Sequence, residues 1–212
     1  MVAFKKAVRY KEPVKAAFLG PASSGKTFTA LKVATRIAEH LGKRIAFIDT
    51  EHGSSKKYAD QFDYDIIELT NYNQKNYIEA LTLANDSDEY GVVIVDSLSH
   101  AWSGKGGVLE MVDRAAARGA NRFAAWREPS PIQNELVETM LALKKHLIVT
   151  MRTKMDYVQE KDEETGKLTV KKIGMQPIQR DGLEYEFDIV GDLDRNHMFM
   201  VTKTRFEHID NA

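Results

Sequence analysis

Gly20-Pro21-Ala22-Ser23-Ser24-Gly25-Lys26-Thr27 satisfies G-x-x-x-x-G-K-[ST] at every fixed position. Glycines let backbone N–H groups turn inward around a triphosphate, and a helix beginning at the end of the loop adds the partial positive charge of its N-terminus. In such a P-loop the lysine, here Lys26, reaches the β- and γ-phosphates, and the hydroxyl of Thr27 goes to Mg²⁺. Gly20, Pro21, Ala22, Ser23, Ser24, Gly25, Lys26, Thr27 and Phe28 are therefore the expected nucleotide contacts. An acid further along fits the same chemistry. Asp96 closes the apolar run Val92-Val93-Ile94-Val95, where a Walker-B aspartate holds Mg²⁺ through its water shell. Ser97 behind it either bonds a phosphate or caps the next segment.

These groups need elements to hold them. Val14 to Leu19 reads as a buried strand before the loop. After it, Phe28, Leu31, Ala34, Ile37, Ala38 and Leu41 recur at helical spacing, and Gly42 follows as the C-cap. Strands are expected at 44–49, 65–69, 91–96 and 146–151, with helices at 74–84 and 132–145 between them and a short helix at 54–61. Continuous apolar strands alternating with helices indicate a parallel sheet covered on both faces. Residues 97–131 read as loop plus helix. Tyr157–Glu160 and Leu168–Ile173 flank Glu164-Thr165-Gly166-Lys167 as a hairpin. Strands at 187–191 and 198–202, joined around Arg195-Asn196, give an antiparallel end.

Length and composition bound the answer. The 212 residues suit one domain with a sizeable core, and 43% apolar with 29% charged residues is globular. A net charge of −1 gives no global field for nucleic acid, so any such contact must be local. With no cysteine, disulfides, thiolate catalysis and cysteine metal sites are excluded. No apolar run approaches the roughly 20 residues of a membrane span, and the basic N-terminus has no apolar core of a secretory signal. A soluble cytoplasmic protein without membrane contact is the expectation. We divide the chain into a basic arm, 1–12, and a core, 13–212.

Two strand candidates lie between the loop strand and the Asp96 strand. That insertion separates the additional-strand NTPases, which polarise water with a glutamate, from small-molecule kinases and GTPases, which place the two strands side by side. No acid directly follows Asp96, but Glu51 follows the second strand. Phe47-Ile48-Asp49-Thr50-Glu51-His52 with Tyr58-Ala59 resembles the second-strand segment of RecA recombinases, and Val93-Ile94-Val95-Asp96-Ser97 resembles their Walker-B strand. The resemblance runs from about Val14 to Phe206. It is closest to the core-only RecA-like ATPases of bacteriophages and prophages that support single-strand annealing or recombination.

The resemblance implies an α/β RecA-like P-loop NTPase fold, a mostly parallel central sheet with helices on both faces and an antiparallel C-terminal end. It implies Mg-dependent ATP hydrolysis with Glu51 activating water and Lys26 on the phosphates. It puts Arg152 nearest the family's γ-phosphate sensor, where the family has a polar residue rather than an arginine; contact with phosphate, with a neighbour and with solvent all stay open. Lys203 and Arg205 resemble paired basic residues that reach the adjacent subunit's ATP site, and their alternation puts them on one sheet face. It implies a homo-oligomer, ring or filament, with ATP near the subunit interface.

Two segments stand where the family binds single-stranded DNA. In the first, Arg114, Arg118 and Arg122 recur every four residues, one face of a helix, followed by Phe123, Trp126 and Arg127. The second is the 157–174 hairpin with Lys167, Lys171 and Lys172, diluted by Glu160, Asp162, Glu163 and Glu164. Phe4-x-x-Ala7 either docks on a neighbouring protomer as an added strand or belongs to a disordered basic arm. Besides the recombination reading, a helicase-like ring motor or loader and a regulatory ATPase with a protein partner remain alternatives; a small-molecule kinase is disfavoured by the strand insertion and Glu51.

Overall fold

The computed structural model describes residues 4–7, 12–121, 123–161 and 168–209, with side chains described outside 156–173. Strand β1 (Lys15–Gly20) runs into the P-loop and helix α1 (Lys26–Leu41), which Gly42 ends in the left-handed conformation at φ 62°. β2 (Arg44–Asp49), β3 (Asp65–Glu68), α2 (Gln74–Asp86) and β4 (Tyr90–Asp96) follow. After β4 come α3 (Ser99–Ser103), α4 (Val108–Ala117) and α5 (Pro129–Ala142). β5 (His146–Lys161) and β6 (Leu168–Pro177) form a hairpin, and β7 (Ile189–Leu193) and β8 (Phe199–Thr204) close the sheet.

The sheet order is β3-β2-β4-β5-β1-β7-β8, with β6 paired to β5 alone. β3, β2, β4, β5, β1 and β7 are parallel, while β8 runs antiparallel to β7 and β6 to β5. The period-two alternation of strands sorts the core into two layers. Ala17, Leu19, Ile48, Val93, Val95, Leu147 and Val149 face α2 and α5, with Tyr77, Leu136 and Met140 fully buried between them. Ala16, Phe18, Ile45, Phe47, Val92, Ile94 and Ile148 face α1 through Ala30, Leu31 and Ala34. All the parallel strands point their carboxyl ends to one edge, where the P-loop, Glu51, Asp96 and Arg152 follow.

Four expectations are corrected. The strand inserted between β1 and β4 is β5, whereas β2 and β3 lie outside β4. The separation expected of the additional-strand class is present, but a strand later in sequence supplies it. The α5 helix begins at Pro129 rather than Ile132, because a proline at the first helical position loses only an N–H that has no helical partner anyway. The hairpin is longer than expected, since β5 continues from the sheet centre through Arg152 into pairing with β6. Finally, Arg114, Arg118 and Arg122 do not share a helix. α4 ends at Ala117, Arg118 is its C-cap and Gly119 turns away at φ 92°.

Candidate active site

The P-loop is shaped by backbone that only certain residues adopt. Gly20 sits at φ 155°, and a Cβ there would overlap the Leu193 carbonyl oxygen of β7. Gly25, at φ 92°, is the N-cap of α1. Ser24 Oγ is buried and has no hydrogen-bond partner among the described residues. Lys26 is buried, and its Nζ donates to the loop's own carbonyls, Gly20 O at 3.0 Å and Pro21 O at 2.7 Å. Burial pushes the Lys26 ammonium pKa down; Asp96 and Glu51 partly restore it and Arg152 lowers it again. An unpartnered Ser24 hydroxyl and an ammonium bound only to neutral carbonyls fit a phosphate chain.

Asp96, the last residue of β4, ties that strand to α1 and β5. Thr27 Oγ1 donates to its Oδ2 at 2.6 Å, and Thr150 Oγ1, on β5 two residues before its last pairing with β1, donates to its Oδ1. Burial pushes the Asp96 carboxyl pKa up, the Thr150 and Thr27 hydrogen bonds pull it down, and Glu51 and Asp49 push it up again. Among the described residues no cluster of three or more His, Asp or Glu could hold a metal alone. Thr27 and Asp96 therefore fit Mg²⁺ as a hard oxygen pair that leaves the remaining positions to phosphate and water.

Glu51 is positioned by Asp49. The Asp49 Oδ1 accepts from Glu51 N at 2.7 Å and Gly53 N at 3.2 Å, while Oδ2 accepts from Ser55 N at 3.2 Å and from Ser55 Oγ. Thr50 binds the end of β2 to β4: its Oγ1 accepts from Ser97 N at 2.7 Å and shares a 2.8 Å hydrogen bond with His100 Nδ1. The Glu51 carboxylate is then held by Arg152, with Nε donating to Oε1 at 3.0 Å and Nη2 to Oε2. His100 Nε2 lies 3.9 Å from Glu51 Oε1 and stacks on Tyr72, ring centroids 4.8 Å apart. Burial lowers the His100 pKa, against a smaller raising effect of Glu51. A neutral imidazole follows at pH 7.

The other sequence candidates are dispersed. Pro21, Ala22 and Ser23 form the loop's outer rim, Ser23 at φ 64°. Phe28 stacks edge-on against Tyr58 and Phe62, at 5.8 and 5.4 Å. Ser97 is fully buried, and its Oγ accepts from Ser99 N at 3.2 Å in a local turn ahead of α3, whose N-cap position is Leu98. Lys203 pairs in register with Val190, itself level with Ala17, and its Nζ donates to Tyr185 O at 2.7 Å and to Phe187 O. Arg205 stands one residue beyond β8, beside Asp188 at 3.3 Å. Asp188 in turn receives Lys15 N, at the start of β1. The pair thus lies toward the amino end of β1, with Arg205 about 16 Å along the strand from the loop of its own chain.

Arg114 is engaged by Glu110 four residues earlier, and Arg118 is exposed. Arg122 lies outside the described residues. Lys171 and Lys172 pair in register with Val158 and Tyr157, and their side chains lie outside the described residues, as does Lys167 entirely. Phe4 to Ala7 are exposed. Sequence reasoning missed Thr150, His100, Tyr72 and His197, whose Nδ1 is 3.1 Å from Ser24 O across 173 positions. Asp49 carries a signal in the sequence, an acid at a strand end followed by Gly53 and Ser55. His52, without an assigned role, sits at φ 55° against Tyr72.

The sequence matches the AAA_24 family, an AAA domain, over residues 12–209. It is similar to "Protein RecA" of Haemophilus ducreyi, 39% identical over 83 residues, or 38% of this chain and 22% of the relative. The same protein of Marinobacter nauticus is 36% identical over 83 residues, 38% of this chain and 24% of the relative. The matched stretch thus spans under a quarter of these curated relatives. The crystal structure of a KaiC-like protein from Pyrococcus horikoshii superposes at TM-score 0.50 and 16% identity, covering 92% of this chain and 81% of that one; this likeness concerns the fold. No helix among the described residues is long and apolar enough to cross a membrane. The chain belongs to the AAA_24 family and has the fold of a RecA-like P-loop ATPase.

Proposed function

We propose that this protein hydrolyses ATP with Mg²⁺ as a homo-oligomer acting on single-stranded DNA, in recombination or annealing of the bacteriophage type. The observation that carries the catalytic part is the meeting of Lys26, Thr27, Asp96 and Glu51 at the carboxyl ends of β1, β4 and β2. In this reading the P-loop amides, Ser24 Oγ and Lys26 Nζ hold the phosphates, and Lys26 exchanges its loop carbonyls for them. Thr27 and Asp96 hold Mg²⁺, which neutralises phosphate charge when bound. Glu51 orients the attacking water, a role that contributes roughly 10²–10⁴-fold to rate. Arg152, in register with Gly20 of the loop, holds the Glu51 carboxylate and would release it to the water.

The assembly part draws on Arg205, which stands too far from its own loop to serve it, and on Lys203, whose ammonium is turned to Tyr185 O and Phe187 O; in this reading both act on a neighbour's nucleotide. Phe4, exposed in the single chain, would dock on the adjacent protomer. The DNA part draws on the RecA likeness and on Arg118 and the hairpin, at the same edge as the nucleotide site. The test is ATP turnover with and without single-stranded DNA, beside electron microscopy of the mixture. Stimulation of turnover with rings or filaments is the expected result. ATP-driven unwinding of a forked duplex would assign a ring motor instead, and turnover indifferent to DNA would assign a regulatory ATPase.

A further inference from the structure

Between the two segments at this edge lies a pocket of about 540 Å³ that nucleotide hydrolysis does not use. That volume is within the range of small-ligand sites. Its walls are Trp102 of α3 and Trp126, with ring centroids 5.8 Å apart, and the base of the β5–β6 hairpin at Gln176 and Pro177. Gln133 and Gln179 line it and are 2% and 4% exposed. Gln179 Nε2 donates to Leu98 O at 3.1 Å, and Gln133 Nε2 donates to Gln179 Oε1 at 3.3 Å. Gln133 Oε1 has no partner among the described residues. A buried acceptor without a donor is costly; Gln133 Oε1 is closed to solvent, so a turn of the amide toward the pocket is what would bring it a ligand N–H. Lys154 and Arg180 line the same pocket with one acid, Asp181, leaving its charged residues net positive.

Indole walls, an unmet acceptor and a cationic rim describe an anion that carries a flat heterocycle with an N–H. We propose that this pocket takes one unstacked base of a single-stranded nucleic acid. The base stacks on Trp102 and Trp126, its N–H meets Gln133 Oε1, and Lys154 and Arg180 hold adjacent phosphates. This rests on the single-stranded-DNA reading above. It adds that the base, and not the backbone alone, is gripped. The floor also leads to the nucleotide site: Gln179 bonds Leu98 O, Leu98 N bonds Thr150 O at 2.9 Å, and Thr150 Oγ1 bonds Asp96.

The chain has two tryptophans, and both line this pocket. Intrinsic tryptophan emission of this chain therefore reports on it alone. Oligothymidylate is titrated beside an abasic deoxyribose-phosphate strand of equal length and beside thymidine monophosphate. Oligothymidylate should quench the emission and bind roughly 5- to 150-fold more tightly than the abasic strand, the scale of one base–aromatic stack. Trp126→Leu should shrink that ratio, with thermal unfolding as the check on its fold. Lys154→Ala, at an exposed position, should weaken both strands and flatten the salt slope by about 0.7. Equal binding of both strands with unchanged emission overturns the base pocket and leaves the DNA reading standing. Binding of neither strand overturns both. Monophosphate binding as tightly as the strand assigns the pocket to a free nucleotide and overturns the proposal, and an unchanged Lys154→Ala overturns the path across this rim.

Discussion

Arg152 grips Glu51 at two points, across 101 positions of sequence, where β5 leaves β1 and enters the hairpin. Arg152 is the last β5 residue in register with β1, opposite Gly20, and Thr153 is the first in register with β6, opposite Pro177. Ile178 N also donates to Arg152 O at 2.7 Å. The residue that restrains the proposed water-activating carboxylate thus stands one position before β5 begins to pair with β6, on the strand that runs on into the proposed DNA hairpin. Glu51→Gln keeps the size of the side chain and removes its charge. ATP affinity should persist while turnover falls roughly 10²–10⁴-fold. Turnover near wild type would place water activation elsewhere.

The same pair predicts coupling. If DNA reaches the nucleotide site through β5, Arg152→Ala should bring the ratio of turnover with DNA to turnover without it close to one, whatever happens to either rate. A ratio equal to wild type would reduce the pair to a local contact. Side-chain exposures of 41% and 20% make a large contribution to folding stability unexpected, so the thermal unfolding midpoint should move little.

Lys26→Ala tests the loop. Its ammonium is desolvated and bonded to Gly20 O and Pro21 O, so phosphates recover a cation that already sits in the loop. Each charged hydrogen bond lost costs about 1.5–3 kcal/mol. Binding of ATP should weaken accordingly in calorimetry, and hydrolysis should vanish. Unchanged affinity in the folded variant would refute the phosphate assignment.

What could be read ahead of the structure was local. The P-loop is a run of eight positions with its own backbone chemistry, and Asp96 ends a run of strand residues that are fully buried. Both announce themselves within one window. The Thr150–Asp96 bond spans 54 positions and the His197–Ser24 contact 173, so no window contains them. The order of strands across the sheet is likewise absent from periodicity, which is why chain order points to β2 and β3 for the insertion that β5 makes. The arginine face failed for a different reason: the four-residue spacing is helical, but Gly119 ends the helix inside it.

Arg205 supplies the test of assembly. Its side chain meets only Asp188 among the described residues and is far from its own loop, so Arg205→Ala is a milder change than Lys203→Ala, which also strips Tyr185 O and Phe187 O of a donor. Arg205→Ala alone should bind ATP and turn over slowly. Mixed with Lys26→Ala, whose Arg205 is intact, it should regain part of its turnover. No recovery in mixed assemblies seen by electron microscopy would confine Arg205 to its own strand.

Lys15 sets a pH dependence at the far end of β1. Its Nζ donates to Leu143 O at 2.6 Å and Lys145 O at 2.7 Å, and burial depresses its pKa from 10.5 to about 8, with Asp188 and Glu12 opposing. A depressed lysine holds fewer protons folded than unfolded between those two values. Stability from this group therefore rises with pH from about 8 to 10.5 and is lost below, at a slope of at most about 1.4 kcal/mol per pH unit. Other groups titrate in the same window, so the comparison with Lys15→Met isolates the lysine. The substitution removes the titrating group and keeps an unbranched chain in the same space. Denaturant unfolding at pH 8, 9 and 10 should give a shallower rise for Lys15→Met than for wild type. Parallel curves would mean that the two carbonyls hold the ammonium charged through this range and that burial does not prevail.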